Sequence, residues 1–158
     1  MSKQAAELVP VEPWHIRYVK QHMRQADRLE LEAVRGWSAE EELDHAIHST
    51  EHARACVYYG KVLAIFGDTK YDRFFGLPWM VSSDAIVEHA RPFLAECRGV
   101  IEDMQSRHAH LINFADARNT LAIRWLKWLG FKFENPTPYG AQGLPFHAFH
   151  MEGTACVQ

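Results

Sequence analysis

Ten histidines, three cysteines and twenty acidic side chains are the groups through which this 158-residue chain could do metal, nucleophile or proton chemistry. His45, His48 and His52 stand at i, i+3 and i+7 on a predicted helix, with Asp44 and Glu51 beside them. That spacing puts three imidazoles on one face, and a zinc site needs three or four converging ligands. A solvated polar face accounts for the same residues, so no metal is expected. His147 and His150 are an odd number apart on a predicted strand and point to opposite faces. His108 and His110 follow a helix end, where the helix dipole favours them. Cys97 falls in an apolar helical stripe and Cys56 opens a strand, so both read as core thiols. Glu41 stands three residues after Ser38, the spacing of a capping box. With Glu40 it is also a candidate general base for an amine.

The elements that must position these groups follow from the hydrophobic period. Residues 8–12 read as a short strand, with Pro13 in the first turn of a helix. Tyr18, Val19, His22, Met23, Ala26 and Leu29 recur at three and four, one face of a single helix that Gly36 ends. A second helix starts at Ser38 and runs to about residue 52. Residues 55–59 and 61–68 are rich in Val, Ile, Tyr and Phe around Gly60, which predicts a hairpin. Residues 74–81 give a further strand, with Gly76 and Pro78 making its start irregular. Phe93, Leu94, Cys97, Val100, Ile101 and Met104 mark a helix begun at Pro92. Residues 111–114 are a short buried strand, 119–129 a helix closed by Gly130, and 131–134 and 146–151 two last strands. The order β-α-α-β-β-β-α-β-α-β-β predicts an α/β (α+β) domain with a mixed sheet.

Bulk properties exclude several function classes. A hydrophobic content of 47% supplies a core, and 23% charged residues is an ordinary value. The formal net charge is −3 with no run of basic residues, which argues against nucleic acid as a partner. No apolar stretch approaches the length of a membrane span, so no membrane partner is expected. The N-terminal eleven residues lack the pattern of a signal peptide. Three widely spaced cysteines without CxxC point to a reducing cytoplasm. Length and the absence of a linker predict one domain over residues 1–158.

Leu111-Ile112-Asn113-Phe114, then Asn119, Ala122, Leu129, Gly130 and Phe131, resembles a strand, an N-x-x-A helix start and an L-G-F helix end. That signature and the element order are similar to the GNAT superfamily of amine N-acetyltransferases. The likeness implies a mixed, mostly antiparallel sheet of six to seven strands flanked by about four helices. A narrower resemblance, carried by Trp79-Met80-Val81-Ser82-Ser83-Asp84 and by residues 123–131, is to GNAT-like proteins of short-tailed lytic bacteriophages. The resemblance implies acetyl-CoA or another acyl-CoA as cofactor. The backbone at Val81 and Ser82 would pair with the pantetheine arm. Ser83, His89, Arg91 and the helix start would meet the phosphates, and Asn119 would cap its helix and line the cleft.

Two departures from that family bear on chemistry. Its phosphate loop uses glycines so that backbone N–H groups can reach the anion. Residues 82–92 here contain none, and bring Asp84, Glu88 and Pro92 instead. The family's usual acid is a Tyr seven residues after the Asn; here that position is Leu126. Ser82, Ser83, His89 and Tyr139 are the remaining candidate acids. The resemblance with these departures implies a bacteriophage protein with a degenerate acyl-CoA site that acts by binding a host protein or a virion protein. It would work in the host cytoplasm or in the virion. The alternative is an active acyl-CoA-dependent N-acyltransferase with Ser82, Tyr139 and Glu41 as catalytic candidates.

Overall fold

The computed structural model describes residues 4–155, so Cys156 and the first three residues of the N-terminal stretch lie outside the described residues. The elements in chain order are β1 (Glu7–Pro10), α1 (Pro13–His22), α2 (Gln25–Arg35), α3 (Ala39–His48), β2 (Arg54–Tyr58), β3 (Lys61–Lys70) and β4 (Phe75–Ser82). There follow α4 (Ala85–Glu88), α5 (Ala90–Arg107), β5 (His110–Asp116), α6 (Thr120–Trp128), β6 (Lys132–Phe133), β7 (Thr137–Tyr139) and β8 (Leu144–Glu152). One eight-stranded sheet runs β1-β2-β3-β4-β5-β8-β6, with β7 on β8. All its pairings are antiparallel except β4–β5. Among the described residues no helix is long and apolar enough to cross a membrane.

Two apolar layers cover the sheet. On one face Val19, Leu43, Ala55, Val62, Ile65 and Val81 pack beneath α1 and α3. On the other, Cys56, Phe66, Ile86, Phe93, Cys97, Leu111 and Phe149 pack beneath α5 and α6. Each fully buried Leu, Ile or Val contributes ~1.5–3 kcal/mol, so the two layers hold the helices against the sheet. The β2–β3 hairpin turns through Tyr59 and Gly60 at φ 47° and 74°. Two positive φ values match the twist of the flanking strands.

Several expectations shift. The long first helix is two, broken at Met23 and Arg24. His22 C=O accepts from Asp84 N–H at 2.9 Å, and Arg24 N–H donates to Ser82 C=O at 3.0 Å. Apolar spacing carries through this break, so periodicity alone joined the halves. The second helix stops at His48, which leaves His52 off its face. The three histidines therefore share no helix surface. Among the described residues no group of three or more His, Cys, Asp or Glu is placed to hold a metal. A short α4 precedes α5, and the Pro- and Gly-rich stretch holds strand β7. Trp14 and Trp37 are exposed on the face of α1 and α3, whereas Trp128 lies on α6 across the sheet. Arg35 lies over the Trp37 ring and Arg98 over the Trp128 ring.

Candidate functional site: a wedge between β4 and β5

The parallel strands β4 and β5 pair only at Phe75–His110 and Gly76–Leu111. Beyond that they part, and the gap is the entrance to a cavity of about 360 Å³. Its size lies at the lower end for small-molecule sites. Phe93, Cys97, Trp125 and Leu126 line it on the side of α5 and α6; Asp27, Glu30, Leu31 and Glu42 line it on the side of α2 and α3.

Which backbone groups face this gap follows from strand alternation. Ser83 N–H donates to Leu63 C=O at 3.0 Å. Alternate residues of an antiparallel strand share one bonding edge, so Val81 and Trp79 also bond toward β3. Pro78, Met80 and Ser82 present their backbones to the wedge. Pro78 is tolerated in a central strand because its missing N–H falls on the edge where β5 has moved away. Val81 thus lines the cavity with its side chain only. Its backbone does not face the arm of any ligand in the wedge, contrary to the sequence expectation.

Side chains span the wedge at two levels. Low in the gap, Asn113 on β5 donates its amide to Pro78 C=O at 2.8 Å. At the open end a buried network joins α2, β4, β5 and the start of α6. Ser82 N–H donates to Asp27 Oδ2 at 2.7 Å, and the Ser82 hydroxyl donates to the same oxygen. Arg24 binds Asp27 Oδ1 at 3.1 Å and Asn119 Oδ1 at 3.2 Å. Asn119 Nδ2 donates to Asp27 at 2.9 Å and to Glu30 at 3.1 Å. Asp116 N–H also donates to Glu30, at 3.2 Å, while Arg118 holds the Asp116 carboxylate at 2.7 Å. Burial, and then the Asp27 charge beside it, push the Glu30 carboxyl up to about 8. A carboxyl with that value near a cavity is suited to proton exchange at neutral pH.

The sequence-derived candidates divide accordingly. Ser82 and Asn119 are in the network, fully buried and committed. Asn119 stands at the N-cap of α6, yet its side chain makes no cap bond and turns to Asp27. The Ser83 hydroxyl donates to Val62 C=O at 2.6 Å, away from the wedge. His89 packs on Tyr58 with the rings tilted at 54°, and Arg91 is exposed on the first turn of α5; neither lines the cavity. Glu41 is exposed, accepts from the Ser38 hydroxyl at 3.0 Å and does not reach the cavity. Its neighbour Glu42 does, held by Arg35 at 2.6 Å. Tyr139 lines the cavity and stacks on Phe114 with ring centroids 4.2 Å apart. The β7–β8 turn that carries it is tied down by Ala141 N–H, which donates to Ala33 and Val34 C=O at 3.1 and 3.0 Å. Gly140 sits there at φ 78°, where a Cβ would lie 2.3 Å from Ala33 O.

Arg24, Asp27, Glu30 and Asp116 escaped the sequence reading, and Asn113 entered it only as part of a strand. A signal existed for Asp27. It continues the buried stripe Val19–Met23 at a further four residues, where a charge needs a partner.

No family model and no curated protein matches the sequence. Solved structures do match. Ard1 from Thermoplasma volcanium aligns at TM-score 0.68 with 16% identity, over 96% of this chain and 99% of that one. An acetyltransferase of the GNAT family from Streptococcus pneumoniae aligns at 0.64 with 15% identity, over 93% and 99%. Spermidine N-acetyltransferase from Vibrio cholerae, solved with CoA and spermine, aligns at 0.64 with 10% identity, over 96% and 97%. Sequence identities this low speak to architecture alone, and by that measure the chain has the GNAT fold.

Proposed function

We propose that the wedge takes the acyl-pantetheine arm of a CoA thioester, acetyl-CoA or another acyl-CoA, and that the acyl group passes to an amine of the host cell. One observation carries this reading: β4 and β5 separate after two residue pairs, and Met80 N–H and C=O face the cavity so formed. An extended amide-bearing arm can pair there as a strand would. The CoA complexes among proteins of the same fold support it.

The amine enters from the side of α2 and α3, where Glu30 stands. Its nitrogen attacks the thioester carbonyl, and Met80 N–H stabilises the developing oxyanion. The C–N bond forms, the C–S bond breaks, and Glu30 takes the ammonium proton. A thiol ordinarily ionises near 8.5, so the thiolate can leave and take its proton from water. This removes the need for an acid at Leu126. The whole of residues 1–158 acts as one domain in this reading, in the bacterial cytoplasm.

The test is paired. The melting temperature is measured with and without saturating acetyl-CoA, and thiol release is followed with a panel of amines. A ligand that binds only the folded state must raise the melting temperature. A rise, with amine-dependent thiol release lost in Glu30→Gln, is expected. No rise with any acyl-CoA overturns the reading.

A second reading is favoured by the donors already spent around Ser82 and by the absence of glycine from residues 82–92. In it the fold no longer transfers acyl groups, and the protein, like the phage proteins it resembles, binds a host or virion protein. Affinity capture from infected and uninfected cells tests it, and recovery of no specific partner counts against it.

A further inference from the structure

The far end of a CoA thioester is a nucleotide diphosphate, which needs available N–H donors or cations. Along the end of β4 and the start of α4 most of them are committed. Ser82 N–H is held by Asp27 at 2.7 Å, Ser83 N–H by Leu63 C=O at 3.0 Å and Asp84 N–H by His22 C=O at 2.9 Å. Ile86 and Val87 N–H close onto Ser83 and Asp84 C=O at 3.1 and 3.3 Å. Pro92 has no N–H to offer. The Arg24 guanidinium is buried between Asp27 and Asn119, and Arg118 is bound to Asp116. Arg91 is exposed, but so are the carboxylates of Asp84 and Glu88. The Asp27 carboxylate takes both Ser82 donors and neutralises Arg24, so none of these groups is left to hold a phosphate brought to that strand end.

We infer that the donor site reads only the neutral acyl-pantetheine arm and gives the nucleotide diphosphate of CoA no hold, with Asp27 as the residue that sets this selectivity. The inference rests on the acyl-thioester reading above. The lower wedge remains for the arm: Met80 offers one N–H and one C=O, and Leu77, Ala115, Phe146 and Phe149 supply apolar walls. A pantetheine arm reaches such a site either free or attached to a carrier protein. The chemistry read in the wedge is the same.

The experiment compares dissociation constants, by calorimetry on the full chain, for S-acetylpantetheine, acetyl-CoA and an acetylated pantetheine-bearing carrier protein. S-acetylpantetheine is expected to bind as tightly as acetyl-CoA, within about threefold. In Asp27→Asn the ratio is expected to move toward acetyl-CoA, by roughly tenfold, as the Arg24 guanidinium loses its carboxylate partner and the strand end becomes cationic. A wild-type preference for acetyl-CoA of about tenfold or more overturns the inference and leaves the acyl-thioester reading standing. Failure of all three thioesters to bind overturns that reading and the inference with it. Tighter binding of the carrier than of the free arm assigns the source to a carrier, and equal binding assigns it to the free thioester. The wild-type comparison decides even where Asp27→Asn does not fold.

Discussion

Replacing Glu30 by glutamine isolates one proton. Glutamine keeps an oxygen that can accept from Asn119 Nδ2 and Asp116 N–H, the two donors that Glu30 binds at 3.1 and 3.2 Å. It copies the protonated carboxyl in shape and polarity and cannot ionise. Glu30 has an ordinary value of 4.5, raised to about 8 by burial and then by the Asp27 charge. Between those two values the folded chain holds a proton that the unfolded chain has released. Stability then falls with rising pH, by about 1.36 kcal/mol per unit for one proton. The contribution is full below pH 4.5 and gone above about 8.

The interval of three to four units would give ~5 kcal/mol if the carboxyl were sealed from water. Glu30 is half-buried and lines a water-accessible cavity, which screens its charge. We therefore expect ~2–3 kcal/mol. The assay is urea unfolding of wild type and Glu30→Gln at pH 5.5 and 8.5, analysed at common slope. Every other group is common to both proteins, so the quantity that matters is the difference between the two. About one unit of the interval lies below pH 5.5, so wild type should lose ~1–2 kcal/mol more than the variant on going from pH 5.5 to 8.5. Parallel pH dependences would show that Glu30 does not hold a proton in the folded state. The mechanism built on it would then fail.

Three further outcomes follow from packing. Gly140→Ala places a Cβ 2.3 Å from Ala33 O at a positive φ, so it should cost about 1–3 kcal/mol and free the Tyr139 ring; chemical denaturation with near-ultraviolet circular dichroism reads both. Burial pushes the Asp68 carboxyl up, but its bonds to Arg107 at 2.7–2.9 Å and His108 at 2.7 Å outweigh this and hold it below the ordinary value. Its contribution is therefore lost only as pH falls below the ordinary value of 3.8, and Asp68→Ala at neutral pH should cost about 3–5 kcal/mol in urea unfolding, because it leaves Arg107 without its carboxylate and buried His108 without its hydrogen-bond partner. Burial pushes the Cys56 and Cys97 thiols up to about 12, so at pH 8 both should escape iodoacetamide in the folded protein and react in denaturant, as read by peptide mass spectrometry.

The framework was legible because local chemistry and global packing agree. Pro13 begins α1, Ser38 caps α3 by accepting from Glu41 N–H at 3.1 Å, and Gly36 ends α2 at φ 77°. The site was much less legible. The backbone of Val81 and Ser82 is expected to pair with the cofactor, but strand alternation turns Val81 toward β3 and Asp27 takes the Ser82 N–H; alternation needs a register that no local pattern supplies. Asn119 was expected at a helix cap. It is there, yet Asp27 and Glu30, some ninety residues earlier in the chain, capture its side chain. The break at Met23–Arg24 was invisible because its cause lies in β4: Ser82 and Asp84 bind the exposed backbone of the break. A helix interrupted by tertiary hydrogen bonds keeps its apolar spacing and carries no Gly or Pro to announce it.

The open end of the wedge also explains why Glu30, rather than a neighbour, carries the raised value. Two guanidinium groups, Arg24 and Arg118, face three carboxylates, Asp27, Glu30 and Asp116. Arg24 is taken by Asp27, which also receives two donors from Ser82 and one from Asn119. Arg118 is taken by Asp116. Glu30 is left with two uncharged N–H donors and an anionic neighbour, so a proton is the cheapest way to neutralise it. A cation brought into the cavity supplies the missing charge instead. An ammonium entering beside Glu30 would lower its value and release the proton, which couples the arrival of an amine to the appearance of the base that amine needs. Amine binding at pH 7 should therefore release about one proton in wild type and none in Glu30→Gln, measured by titration in two buffers of different ionisation enthalpy. Proton uptake, or equal release from both proteins, would remove Glu30 from that role.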